Sequence, residues 1–458
     1  MQKTTWLAGL CAVLVACGGG DDGAGGTKTI TKTVTNNNTN TVTVTTDAGA
    51  ECADGVCVLS GTITEDLTLT SDVQWLLRGG VFIGDDLSQT TLTIEPGTTI
   101  YGENSTGGML VVRRGSKLVA EGTADQPIVF TSSKAPGSRA RGDWGGLILN
   151  GRAPINNCSA ETTDVCQQFG EGGTGFFGGS DPNDNSGVLT YVRVEFAGTL
   201  ISPDNELNGI AFQGVGAGTE IDHIQVHMNA DDGVEFFGGT AQAKHVLITG
   251  VGDDGIDWTD GWTGALQFAV VQQYADSGDN GIEADNNGEN NDALPRSQPI
   301  LSHVTVIGSP DSTASDYGAL LREGTAGELH NVVLTGFNDA CLALANLATL
   351  DQAASGALVL ANGVVDCAKN FESNDGNGDI TDADVADVFA AGPNNTEADA
   401  MLSDPYNQEA PNFAPMSSSP LLTGGTSPSD PFFEAASFRG GVDPANDWTA
   451  GWTTSEPN

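Results

Sequence analysis

Three stretches set acidic residues at matching places around a glycine: Asp232-Gly-Val-Glu235, Asp254-Gly-Ile-Asp257 and Asn280-Gly-Ile-Glu283. A strand leaving such a turn sends alternate side chains to opposite faces. Val234 and Phe236, Ile256 and Trp258, and Ile282 and Ala284 then point inward. Glu235, Asp257 and Glu283 are expected to face solvent, one above another, with Asp231, Asp253 and Asp279 on the preceding turns. Like charges stacked about 5 Å apart repel by about 1 kcal/mol in water and by more at a lower effective dielectric. Such a row calls for a cation, a basic ligand or protonation of alternate members. Oxygen-only donors suit Ca2+. Paired carboxylates with one pKa raised also serve as acid and base in glycoside cleavage, which makes Asp232, Glu235, Asp254, Asp257 and Glu283 the catalytic candidates. A third reading needs no ligand, because Asp-Gly is good turn chemistry repeated wherever the unit repeats.

Residues 373–384 resemble an EF-hand or dockerin loop. Asp375 and Asn377 fill its third and fifth places, Gly378 gives the sharp turn, Asp379 offers its carbonyl, and Asp384 closes at twelve. Ser373 departs from the pattern, which has Asp at the first place. The resemblance implies a calcium ion held by Ser373, Asp375, Asn377, Asp379 and Asp384. His223, His245, His303 and His330 precede apolar strands in one register with Tyr191 and Gln267. That mixed occupancy reads as a stacked turn ladder and not as a metal triad. Trp144, in an Arg-Gly-Asp-Trp turn, and Trp258, Trp262, Trp448 and Trp452 read as packing residues, not as sugar-stacking platforms.

These residues sit in a uniform texture of short β-rich runs, each followed by Gly, Asn or Asp, with no long helical stretch between. His223-Ile-Gln-Val, His245-Val-Leu-Ile and Gln267-Phe-Ala-Val start 22 residues apart. A period of 22–26 residues is the mark of a solenoid, whose coils bury apolar ladders only by stacking. TLTIEPGTTIYG, LVAEGTADQPIVFTS, RGDWGGLILNG, DDGVEFFGG, GDDGIDWTDGW and DWTAGWT resemble segments of a family of bacterial surface lipoproteins with parallel β-helices. The resemblance implies an all-β, single-stranded, right-handed parallel β-helix, and it carries no common activity. The Asp-Asp pairs also resemble the acid pair of β-helical polygalacturonases, whose Gly-His-Gly and Arg-x-Lys elements are absent here.

Composition narrows the partners. The chain has 458 residues and a formal net charge of −43, from 60 acids against 17 bases. That field repels phosphate and excludes nucleic acid and anionic lipid surfaces as ligands. Trp6–Val15 is an apolar run of signal-peptide length, and Leu14-Val15-Ala16-Cys17 resembles a bacterial lipobox. The resemblance implies cleavage before Cys17, lipidation of that residue and anchoring in the cell outer membrane. Of the eight cysteines, this removes Cys11 with the signal peptide and acylates Cys17; the other six fall into local couples, Cys52/Cys57, Cys158/Cys166 and Cys341/Cys367, read as three disulfides of an exported protein.

The expected organisation is therefore a signal peptide (1–16), a lipidated Cys17 with a Gly/Thr/Asn tether (17–50), a β-helix (51–367) and a C-terminal cap (368–458). That cap is expected to hold the calcium-like loop, helices at 382–391 and 397–403, and a Trp-rich end over the last coil. The expected function is non-catalytic: a binding or scaffold lipoprotein engaging glycan or surface polymer, stabilised by calcium. The alternative is a polysaccharide lyase or glycoside hydrolase using the acidic face at 231–285. Metabolic labelling with a lipid precursor should mark the wild-type chain and leave Cys17→Ala unmarked; equal labelling of both would remove the anchor.

Overall fold

The computed structural model describes residues 30–35, 41–47, 50–159, 165–201 and 206–458, the first two segments as backbone. The signal segment and Cys17 lie outside the described residues. The column is a single 28-stranded sheet wound on itself, with parallel pairing throughout except at its N-terminal end. Short strands Ile210–Gln213, Val234–Phe237, Ile256–Thr259 and Ile282–Ala284 stack in order, in register Val234↔Ile256↔Ile282 and Glu235↔Asp257↔Glu283. Long strands Gly187–Glu195, Glu220–His227, Gln242–Thr249, Ala265–Gln272, Ile300–Ile307 and Gly327–Thr335 form the other walls.

Each long strand bends at one residue in the left-handed region: Tyr191, His223, His245, Phe268, His303 and Asn331, with φ between 50° and 60°. The conformation costs roughly 1–2 kcal/mol for a residue with a side chain. The pairing steps over it, so these six residues are equivalent. The spacing-based register therefore holds for Tyr191, His223, His245 and His303 and is off by one at two members: Gln267 stacks on Lys244, and His330 on Ser302. The rings at the bend form a continuous row, with centroids of Tyr191–His223 at 4.4 Å, His223–His245 at 4.2 Å, His245–Phe268 at 5.2 Å and Phe268–His303 at 5.4 Å. The ladder is one of stacked rings, and not of turns closing backbone bonds. Inside the column, Val234, Ile256, Trp258, Ile282 and Ala284 are fully buried, and Phe236 lies against Phe212 and, at 4.0 Å, Trp262.

Several boundaries differ from expectation. The Thr/Val alternation of the tether forms Ile30–Thr35 and Thr41–Asp47, paired antiparallel and continued by Ala50–Ala53 into the first coil. β-branched residues favour strands even where no apolar face results. Column pairing continues past 367, through Phe371–Ser373 and Thr396–Glu397. Helix α1, Leu347–Ser355, is an insertion the strand texture concealed, and α2, Asp382–Ala391, covers the last coil with Val385 and Phe389. The second expected helix, 397–403, is extended, because Glu397 joins the column and Leu402–Asp404 pairs with Asn412–Pro415. The cysteines pair as Cys52–Cys57, Cys158–Cys166 and Cys341–Cys367.

The Trp-rich end does not cover the last coil. It turns back along the flank and lies on the ring row. Asn331, Gln267 and Gln225 each donate to and accept from the backbone of this strap, at Thr426, Glu434 and Thr454 respectively. Trp448 meets His223 and His245 edge-on, Trp452 meets Tyr191 and His223, and Phe438 meets His303. Truncating a buried Trp costs about 3–5 kcal/mol. Trp452→Ala should therefore lower the unfolding free energy by about 3 kcal/mol in urea titration, and a change below 1 kcal/mol would show that the strap contributes little.

Candidate functional site

The acidic candidates gather on the short-strand wall. Their turn residues form a row of their own, Asn208, Asp232, Asp254 and Asn280, one per coil. The Asp232 Oδ1 accepts the Asp254 N–H at 3.0 Å, and the Asp254 Oδ1 accepts the Asn280 N–H at 2.6 Å. The turn-chemistry reading therefore holds for one oxygen of each carboxylate. Beside this row, Glu235, Asp257 and Glu283 stack as expected, but they are not on an open surface. Glu235 is only 8% exposed, and Asp257 and Glu283 are half-buried.

The cover comes from two long insertions. One runs through 150–187, and the other through 285–298, where Arg296 closes back onto Asp292. Asparagines tie them together: Asn156 donates to the Asn286 Oδ1 at 2.8 Å and accepts from Asn287 at 3.0 Å. The alternation rule assigned the correct face but carried no information about what packs upon it. Between the insertions and the column lies an open cleft of about 340 Å³, lined by Glu171, Glu235, Asp257, Asp260, Glu283 and Asp285, with Asn157, Asn287 and Arg322. Sequence reasoning missed Glu171, Asp260 and Arg322, which lie outside the repeat register that marks the other acids.

Electrostatics here are set by a shortage of cations. Arg322 bonds Glu283 and, at 2.8 Å, Asp285, and these partners raise its pKa further. Burial pushes Glu283 up to about 7 despite that guanidinium. Burial, with Glu206 and Asp260 nearby, pushes Glu171 up to about 7. Burial and the neighbouring Asp253 raise Asp231 to about 7 and Asp279 to about 6. Asp232, Glu235, Asp254 and Asp257 are held well above the usual carboxylate range by burial and by one another. These are carboxylic acids poised to exchange a proton, or carboxylates awaiting a countercharge.

The other candidates are arranged differently. Among the described residues, the carboxylates whose oxygens converge within 4.8 Å are Asp231, Asp232 and Asp253; Asp232, Asp254 and Asp257; and Asp253, Asp254 and Asp279. The loop 373–384 is not among these groups. There the Asp375 Oδ2 accepts the Asp379 and Ile380 N–H groups, Ser373 donates to the Ile380 carbonyl, and Asp384 closes a capping box with Thr381. Asn377 donates its N–H to Asp375. Asp222 accepts from His223 at 2.9 Å and His245 at 2.6 Å; burial pushes its carboxyl up, but these two bonds outweigh it and hold it low. Trp144, Trp258 and Trp262 are fully buried and present no face to a sugar.

A pH signature follows from the raised acids. Unfolded, they titrate near 4; folded, they keep protons to about 6–7 or beyond. The fold thus binds more protons in that interval, and the stability this provides is complete below about 4 and lost as pH rises through the folded values. In EDTA the protein should melt at a higher temperature at pH 6.5 than at pH 8.5. Asp254→Asn keeps an acceptor for the Asn280 N–H and removes a charge, so it should raise the melting temperature at pH 8.5 and flatten the slope. Thermal scans showing a melting point that climbs with pH would contradict the burial of these acids.

Comparison with known proteins agrees with the column. A family model described as a pectate-lyase like beta helix domain matches residues 61–453. Among solved structures, the crystal structure of Dettilon tailspike protein (gp208) is similar at 13% identity, covering 71% of this chain and 56% of that one, with a TM-score of 0.22. The chain thus spans little more than half the length of that tailspike chain. No curated protein matches the sequence. The parallel stacking of coils and a family match over most of their length place this chain in the family of pectate-lyase-like β-helix domains.

Proposed function

We propose that the chain is an outer-membrane lipoprotein, anchored through Cys17, whose column binds a neutral or amino-sugar glycan without cleaving it. The cleft of about 340 Å³ carries this reading: it is open, and acids and amides make up most of its wall. Carboxylate and amide oxygens accept from sugar hydroxyls and ammonium groups. Arg322 is taken up by Glu283 and Asp285, and a net charge of −43 disfavours uronates and other anionic polymers. Calcium in the loop formed by Ser373, Asp375, Asn377, Asp379 and Asp384 belongs to the same proposal, as a support for the start of α2 at Asp382.

One observation favours a second reading, glycoside cleavage. Glu171 and Glu283 reach the same cleft from different elements, and both are pushed up to about 7, which suits a general acid at neutral pH. A glycan array followed by end-group analysis separates the two. Retention of neutral or amino-sugar glycans with no new reducing ends is expected, and Glu235→Gln should weaken retention by about tenfold, the effect of losing one charged hydrogen bond. New reducing ends that vanish in Glu283→Gln would establish cleavage instead. An array with neither a retained glycan nor new reducing ends would sink both readings.

A further inference from the structure

The last coil has a cavity that neither the glycan cleft nor the strap accounts for. It lies between α1 and α2, against the strand Leu358–Ala361, and encloses about 380 Å³. Leu350 and Ala354 of α1 and Val388 of α2 give it apolar walls. Asp384 and Asp387, one helical turn apart on α2, carry the only charges in its lining, and no Lys, Arg or His is among them. The Asp384 Oδ2 is taken up by Thr381, so Asp387, exposed at the rim, is the charge left for a ligand.

The same place is a sheet edge. Leu358–Ala361 pairs in parallel with 327–330 on one side, and among the described residues no strand pairs with it on the other. Where a further coil would lay a strand, the chain forms α2 instead. Successive strand residues turn their backbone groups to opposite edges. Gly327 donates to the Ala357 carbonyl, so Leu358 and Leu360 present theirs to the open side. There the Leu360 carbonyl accepts from the Asn395 side chain at 3.0 Å, and Asn362 donates to the Pro393 carbonyl at 2.8 Å. The chain after α2 thus closes the edge from Leu360 onward and stops short of Leu358, which lines the cavity. An uncovered strand edge is a template for another extended chain.

We infer that this end of the column binds an extended basic peptide of a partner protein, which adds to the edge at Leu358, sets an aliphatic side chain in the cavity and brings a Lys or Arg to Asp387. In strand addition the main-chain bonds supply affinity, and the pocket selects the side chain. A net charge of −43 favours the approach of such a peptide.

Fluorescence anisotropy of the full chain with a labelled Lys-Thr-Leu-Thr-Lys peptide tests this without any glycan, so its outcome is independent of the cleft's ligand. Residues two apart share a face of a strand, which puts both Lys on the side of the Leu. Saturable binding is expected. It should be lost in a Glu-Thr-Leu-Thr-Glu peptide and in a copy whose backbone amides are N-methylated. Asp387→Asn should weaken the Lys peptide by roughly tenfold, as one charge-assisted hydrogen bond is removed. Ala354→Trp, which fills the cavity from the exposed face of α1, should abolish binding and keep the wild-type melting temperature. Equal binding of the Lys and Glu peptides, binding that survives N-methylation or Ala354→Trp, or no binding to the wild-type chain would overturn the site.

Discussion

Parallel in-register stacking governs this molecule. Every residue of a coil meets its equivalent one strand spacing away, about 4.8 Å, so like is laid upon like. For Val234, Ile256 and Ile282 the consequence is a dry ladder, and for Phe212 and Phe236 a pile of rings, onto which Trp262 packs from the turn after the next strand. For Asp232 above Asp254, and Glu235 above Asp257, the same rule brings charges together that water would keep apart. The acidic wall is thus a product of the repeat, and burial together with neighbouring carboxylates holds its acids above the usual range.

Two devices manage that burden. The turn row gives one oxygen of each Asp a backbone partner, and it ends in Asn208 and Asn280, which have the shape of Asp without the charge. The insertions then cover the face and narrow it to a cleft, using asparagine contacts between Asn156, Asn286 and Asn287 that add no further charge. On the opposite terms, the ring row of Tyr191, His223, His245, Phe268 and His303 turns a strained backbone bend into a stack, and the strap keeps it dry. His303 in this row, and His227 at the end of its strand, are fully buried, and burial is the main cause that pushes both down to about 4.

The fold was legible because its signal repeats. Alternation within Val234–Phe237 and Ile256–Thr259 assigned inward and outward faces correctly, and adjacency in sequence sufficed for all three disulfides. What escaped is what occurs once. Glu171, Arg322 and the strap reach the column from distant sequence, and no periodicity announces them. The shift from Gln267 to Phe268 came from a coil one residue longer than its neighbour, which only pairing reveals. Helix α1 had a local cue, a Leu- and Ala-rich run between Asn346 and Gly356, which the surrounding strand texture masked.

The strap's amide contacts join Thr426 to Asn331, Glu434 to Gln267 and Thr454 to Gln225, so its order along the column is the reverse of the order in which the coils are made. A chain emerging from its N-terminus can wind its coils one by one, yet the flank finished earliest is the last to be sealed. The histidine bends stay wet until the final thirty or so residues arrive. A chain cut short before residue 426 would carry an uncovered aromatic seam along the flank of its middle coils.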